Sequence, residues 1–288
     1  MENIINNKTN KEKLFILPQA GEADFTKAKN DIVWAQKIWH EVLEDQEWQK
    51  GTIDNLENSL FEDKAIAETY DDDPFTNFMF QEENQDILEM LDIQQWDKVL
   101  DIGCGTGKYI EWIQKYKPVS ITGIDISQAM IDQAKKKYTD NQEIEFKQAD
   151  IENWLPFPDN SFDKINCAHV LKFITTQSAL NQVFKEINRI LKPWGSFVFS
   201  NNHPERDFDR ENFSLKTKEN ETEEWETPEM KLHTMQDYVQ ASKYASLENT
   251  DTRDVCISKH TAELFEPESF KKVIWWKVII AMKFKKPT

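Results

Sequence analysis

The apolar positions change their period near Trp96. Before it, Ile32, Ala35, Trp39 and Val42, with Ile38 alongside, recur at helical spacing over residues 24–49, and Gly51 is placed to end that helix. Residues 52–73 read as mixed helix and loop. The "DDDP" at 71–74 stops one helix and starts another, because proline is well tolerated at the first helical position. The next helix is predicted from Pro74 to about Leu91. After Trp96, short apolar runs alternate with longer helical patterns. "KVLDI", "SITGIDI", "IEFKQA", "FDKINCAHV" and "GSFVFS" are predicted strands, and "KYIEWIQKY", "SQAMIDQAKKKY" and "SALNQVFKEINRIL" the helices between them. Closer to the end, "TMQDYVQASKYA" reads as a helix, and "DTRDVCIS" and "VIWWKVIIAMKF" as two further strands. Such alternation predicts an α/β fold, a parallel sheet with helices on both faces.

This divides the chain into an N-terminal arm and helical cap, residues 1–95, and a core, residues 96–288. Residues 1–22 are polar and carry no visible chemistry. The stretch 202–232 breaks the core's alternation with charged, loop-like sequence, and insertions in such sheets usually sit over a ligand at the carboxyl ends of the strands.

Charge and cysteine usage narrow the classes. Lys and Arg total 35 against 52 Asp and Glu, a net charge of −17, which repels phosphate backbones and anionic lipid surfaces, so neither nucleic acid nor membrane is the expected partner. The acidic runs themselves read as solvated surface. Cys104, Cys167 and Cys256 are odd in number, far apart and without a CxxC pair, which argues against a disulfide framework or thiolate zinc and predicts no metal. A cytoplasmic location is expected. The first residues lack the apolar run of a signal peptide, and "VIWWKVIIAM" is too short for a membrane span.

Of seven glycines in 288 residues, Gly103, Gly105 and Gly107 fall within "VLDIGCGTGKYI". The loop follows a strand ending near Asp101 and precedes a helix, whose first backbone N–H groups face outward without intrahelical partners. A tight turn that needs glycine for packing would look the same. A dinucleotide loop would need a third glycine where Lys108 stands, and a P-loop would need a hydroxyl where Tyr109 stands. Phosphate binding is therefore disfavoured. Asp125 and Asp150 end the next two strands: the first is placed for both hydroxyls of a ribose, the second for an adenine amino group. Asp101 adds negative charge that would oppose a pyrophosphate but favour a ligand carrying an ammonium and a sulfonium.

"VLDIGCGTG", "GIDIS", "QADIENWLPFPDNSFDKINCAHVLKFI" and "EINRILKPWGSFVFS" together resemble the successive motifs of class I S-adenosylmethionine-dependent methyltransferases, in the subfamily related to quinone-biosynthesis enzymes. The resemblance covers about Asp97 to Ser200. It implies a Rossmann-like, seven-stranded, mostly parallel sheet whose last strand is antiparallel, and S-adenosyl-L-methionine as cofactor. By the same resemblance, Asp101 with Gly103, Cys104, Gly105, Thr106 and Gly107 would hold the methionine end. Asp125 would bind the ribose, Ile126 and Met130 would flank the adenine, and Asp150 and Ile151 would meet its edge. Cys167 would line the methionine side through its backbone. No basic residue adjoins the Cys167 or Cys104 thiol, so both read as small apolar fillers.

Methyl transfer from a sulfonium is an in-line displacement and needs no nucleophilic residue, although a hydroxyl acceptor benefits from a base. His203 in "FSNNHPE" and His233 in "KLHTMQDY" border the insertion and are the candidate bases. Thr234 stands where related enzymes would have arginine, and hydrogen bonds that pin the insertion are the alternative for both histidines. His169 is close enough to the fourth strand to see an acceptor, or simply packs. His40 and His260 receive no role. Tyr70 in "ETYDDDPF" resembles an aromatic that closes over the cofactor in related enzymes, where a ring face favours a sulfonium, with ordinary helix packing as the alternative. Trp34, Trp39 and Trp48 read as packing, and Trp225 as a substrate contact. The expected activity is methylation of a small molecule on oxygen or nitrogen. A peptide or protein acceptor, and a cofactor-binding interaction protein without turnover, remain as alternatives. Oligomeric state is open.

Overall fold

The computed structural model describes residues 64–72, 74–204, 233–256 and 277–288. The expected helix over 24–49, with Trp34, Trp39, His40 and Trp48, lies outside the described residues. So do Trp225, His260 and all but the first residues of the 202–232 insertion.

A short helix α1 (Lys64–Thr69) runs into a 3-10 turn (Tyr70–Asp72), and α2 (Pro74–Leu91) matches the predicted helix. The core then follows as β1 (Lys98–Ile102), α3 (Lys108–Ile113), β2 (Ser120–Asp125), α4 (Gln128–Lys137), β3 (Ile144–Gln148), β4 (Phe162–Ala168), α5 (Gln177–Ile190), β5 (Leu191–Asn202), α6 (Met235–Tyr244), β6 (Glu248–Cys256) and β7 (Lys277–Lys285). All seven strands form one sheet in the order β3-β2-β1-β4-β5-β7-β6. The first five are parallel, and β7 runs antiparallel to both β5 and β6. Strand β5 begins four residues earlier than the sequence suggests. A register shift opposite Phe162 and Lys164 absorbs Pro193 and Trp194, so Leu191 pairs with Phe162 and Ser196 with Lys164.

Alternating strand residues feed two cores. Leu100, Ile102, Phe197, Phe199, Ile280 and Phe284 join the buried stripe of α5 and Tyr238 of α6, whereas Val99, Val198 and Ala281 join α2, α3 and α4. The helices start where side chains can cap them. Ser127 accepts from Met130 N–H and Thr176 from Ala179 N–H, and Thr234 with Asp237 forms a capping box. The chain winds outward from β1 to β3 and then returns to β4 on the other side of β1. Asp101, the penultimate residue of β1, and Asp125, Ala168 and Asn202, the last residues of β2, β4 and β5, consequently lie on one edge of the sheet, around the point where the winding reverses. Ligands of open α/β sheets bind at such a crevice.

Candidate functional site

Positive φ angles at Gly103 (67°), Gly105 (52°) and Gly107 (89°) carry the chain sharply from β1 into α3. The three positions differ in what forbids a side chain. A Cβ on Gly103 would lie 2.1 Å from Val170 Cγ2, and one on Gly107 would lie 2.7 Å from the Tyr138 ring. Packing therefore demands these two glycines. A Cβ on Gly105 would meet only Tyr70 Cε1, at 3.8 Å. That position opens onto free space under an aromatic ring.

Asp125 holds the loop in place. Its Oδ2 accepts from Gly105 N–H and its Oδ1 from Ser127 N–H, both at 2.9 Å. Asp101, 2 % exposed, accepts from Asn166 Nδ2 through Oδ1 at 2.8 Å, while its Oδ2 is buried with no hydrogen-bond partner. Burial pushes the Asp101 carboxyl up to about 7, opposed by the Asn166 hydrogen bond and reinforced by the charge of Asp125. Cys104 and Cys167 are buried, and burial raises both thiols far above their ordinary range, which leaves them inert as expected. Ile126 is exposed beside Asp125, whereas Met130 and Ile151 are buried. Asp150 caps its own turn, accepting from Glu152 N–H and Asn153 Nδ2.

The segment before α2 closes over this loop. Asp71 accepts from the Thr106 hydroxyl and pairs with Lys137 of α4 at 3.1 Å. Lys108, in the place of a third glycine, sets its ammonium 5.5 Å from the centre of the Tyr70 ring and 5.4 Å from that of Phe80. Asp71 thus corrects the reading of the acidic run as mere solvated surface. In sequence, nothing distinguishes it from Asp72 and Asp73.

The two candidate histidines are 1 % exposed. His203 places Nε2 3.1 Å from Asp254 Oδ1 on β6, and Lys277 of β7 pairs with the same carboxylate at 2.7 Å. His233 directs Nε2 at the Ile174 carbonyl at 2.6 Å, so that nitrogen carries the proton and donates. His169 follows β4 with φ 59° and lies 3.0 Å from Glu83, a fully buried carboxylate on α2 that also accepts from Tyr109. Sequence reasoning passed over Glu83, Tyr109 and Asn166. A glutamate four residues before Ile87, on the apolar face of α2, and an asparagine inside an apolar strand were the available signals.

Residues 100–199 match the family of methyltransferase domains. The chain carries a class I S-adenosylmethionine-dependent methyltransferase domain. S-adenosyl-L-methionine is the cofactor of this domain. Malonyl-[acyl-carrier protein] O-methyltransferase of Paenibacillus is 37% identical over 107 residues, covering 36% of this chain and 38% of the relative. Demethylmenaquinone methyltransferase of Staphylococcus saprophyticus is 31% identical over 114 residues, covering 39% and 47% respectively. The chain thus spans less than half the length of these curated relatives. A solved S-adenosylmethionine-dependent methyltransferase from Mesorhizobium loti shares the fold, with a TM-score of 0.55 and 16% identity, over 71% of this chain and 98% of that one. Among the described residues, no helix is long and apolar enough to cross a membrane.

Proposed function

We propose that the protein transfers the methyl group of S-adenosyl-L-methionine to an oxygen or nitrogen of a small molecule. The observation that carries this reading is the buried, unpartnered Oδ2 of Asp101 near the end of β1, followed in the loop by the open position at Gly105. An anion buried without a partner is costly, and a cationic ligand at this spot would relieve it. When bound, the cofactor supplies a methyl group on a sulfonium, which an acceptor displaces in line. The protein's own residues bind, orient and exclude water. Asp101 would receive the ammonium of the methionine end and Asp125 the ribose hydroxyls. The Gly103 to Gly107 backbone, with Cys104 and Thr106, would line the methionine, Cys167 contributing only backbone. Ile126 would cover the adenine, with Met130, Asp150 and Ile151 around its edge. Tyr70, latched through Asp71, would close the face above Gly105. His203 and His233 fit anchoring better than proton transfer, because Asp254 and the Ile174 carbonyl already engage their rings.

The two relatives named above carry different acceptors in their names, so the acceptor does not follow from the shared domain. Incubation with methyl-labelled cofactor and a cell extract separated by mass tests the reading: a labelled small molecule is expected. A labelled polypeptide would replace the acceptor class, and no labelled product would sink the activity.

Replacing Asp125 by alanine removes an acceptor that ties the loop and that would receive the ribose hydroxyls. Cofactor affinity measured by calorimetry is expected to fall by ~1.5–3 kcal/mol, the usual worth of hydrogen bonds to a charged group. Unchanged affinity would remove Asp125 from the site.

A further inference from the structure

We propose that His169 takes the proton of the methyl acceptor and that Glu83 is the residue positioning it. This rests on the methyl-transfer reading and deepens it: the acceptor is an O–H or N–H group that gives up a proton, not a carboxylate. Adenosine bound by Asp125 and Asp150 would extend over β2 and β3 with the methionine end over β1, which would leave the β4 side for the acceptor. His169 occupies that side. It directly precedes Val170, whose side chain packs onto Gly103, and its N–H donates to the Ser200 carbonyl on β5. Its φ of 59° is a strained conformation for a residue with a side chain, of a kind that collects at functional sites.

The surroundings of the ring are asymmetric. Nε2 is buried and lies 3.0 Å from Glu83 Oε1, an ion-pair distance without the alignment of a hydrogen bond, while the side chain keeps 15% of its surface exposed. The Phe80 edge contacts the ring at 5.7 Å between centroids. Glu83 is fully buried, accepts from the Tyr109 hydroxyl at 2.7 Å, and has its Oε2 buried without a hydrogen-bond partner. Satisfying Tyr109 would need only a neutral acceptor. An acidic side chain 3.0 Å from an imidazole nitrogen is instead placed to balance the positive charge that forms when the other nitrogen takes a proton, and a small rotation of the ring would align Nε2–H on it and fix that tautomer. Among the described residues, the charged and titratable groups near this pair are Tyr109 of α3, itself under the influence of Asp101 of β1, and Lys108 on the Phe80 ring.

The step balances without any further reactant. The acceptor's proton passes to His169 Nδ1, and the electron pair it leaves forms the bond to the methyl carbon. The carbon–sulfur bond breaks with its pair remaining on sulfur, which becomes a neutral thioether. The imidazolium then returns the proton to solvent.

The test uses the full chain, methyl-labelled S-adenosylmethionine, and the small-molecule fraction of a cell extract at saturating amount as acceptor source. His169→Ala and His169→Gln are expected to lower labelled product formation by ~10²–10⁴-fold, with cofactor affinity by calorimetry unchanged within about twofold. Glu83→Gln is expected to lower the rate without changing the extract dilution that gives half the maximal rate. It should also convert the imidazole nitrogen resonances of His169 from one tautomer to a mixture. Rates of the His169 variants within about threefold of wild type would overturn the proposal while leaving methyl transfer standing. A single tautomer surviving in Glu83→Gln would overturn the role of Glu83. An extract left unlabelled by the wild-type protein would overturn both this proposal and the reading it rests on.

Discussion

Replacing Asp101 by asparagine is expected to stabilise the cofactor-free protein above pH 7 while weakening cofactor binding by ~10–100-fold, the range of a lost charged hydrogen bond. The carboxyl is held up to about 7, from an ordinary value of 3.8. Between these two values the folded state binds a proton that the unfolded chain does not. Stability therefore falls as pH rises from about 4 to about 7, by roughly 4 kcal/mol in total, because above that range an unpaired carboxylate sits in the core. The asparagine carries no such charge. Its carbonyl can still accept from Asn166, although its amide then occupies the place of the orphaned Oδ2, so only part of that energy is recovered. A cationic methionine end pairs with the ionised form, and the affinity of the wild-type protein should drop about tenfold per pH unit below pH 7. Thermal unfolding and calorimetry of both proteins between pH 5.5 and about 8.5 measure the two effects. A flat pH dependence of affinity in the wild type would remove the Asp101 carboxylate from the methionine site.

Gly103→Ala and Gly105→Ala are expected to fail in different ways. At Gly103, alanine meets both the positive φ and a Val170 methyl at 2.1 Å. Left-handed backbone costs roughly 1–2 kcal/mol and overpacking about 1–3, so the folded state should lose roughly 2–5 kcal/mol. Adding Val170→Ala should relieve the clash but not the backbone strain. At Gly105 only the backbone cost applies, since its nearest neighbour is Tyr70 at 3.8 Å. Its methyl would instead fill the face proposed for the cofactor. Denaturant midpoints should therefore separate Gly103→Ala from wild type, and cofactor affinity should separate Gly105→Ala. Equal stability losses with equal affinity in the two variants would show that the loop is shaped by packing throughout.

The repeating βα pattern after Trp96, the helix from Pro74 to Leu91, and the loop between β1 and α3 were legible in the linear chain. Each depends on local rules: period 3.6 against period 2, a tolerated first-turn proline, and glycines where φ must be positive. The antiparallel last strand came from the order of motifs and not from any single residue, and the roles proposed for Asp101, Asp125 and Asp150 came from that order together with their places near the strand ends. What each glycine is for could not be read in the same way. "GCGTG" has one spelling, but Val170 demands its first glycine, Tyr138 its last, and packing leaves the middle one open.

Only the tertiary structure brought Glu83 of α2 to His169 beyond β4, Asn166 to Asp101, and Asp71 to Thr106 and Lys137. It also set His203 against Asp254 and His233 against the Ile174 carbonyl. These partners lie 35 to 86 residues apart along the chain. No local period encodes such pairs. Hydrophobic burial chooses which faces of α2 and the sheet meet, and the polar groups carried into that contact must then find partners or, like Asp101 Oδ2, remain without a hydrogen bond.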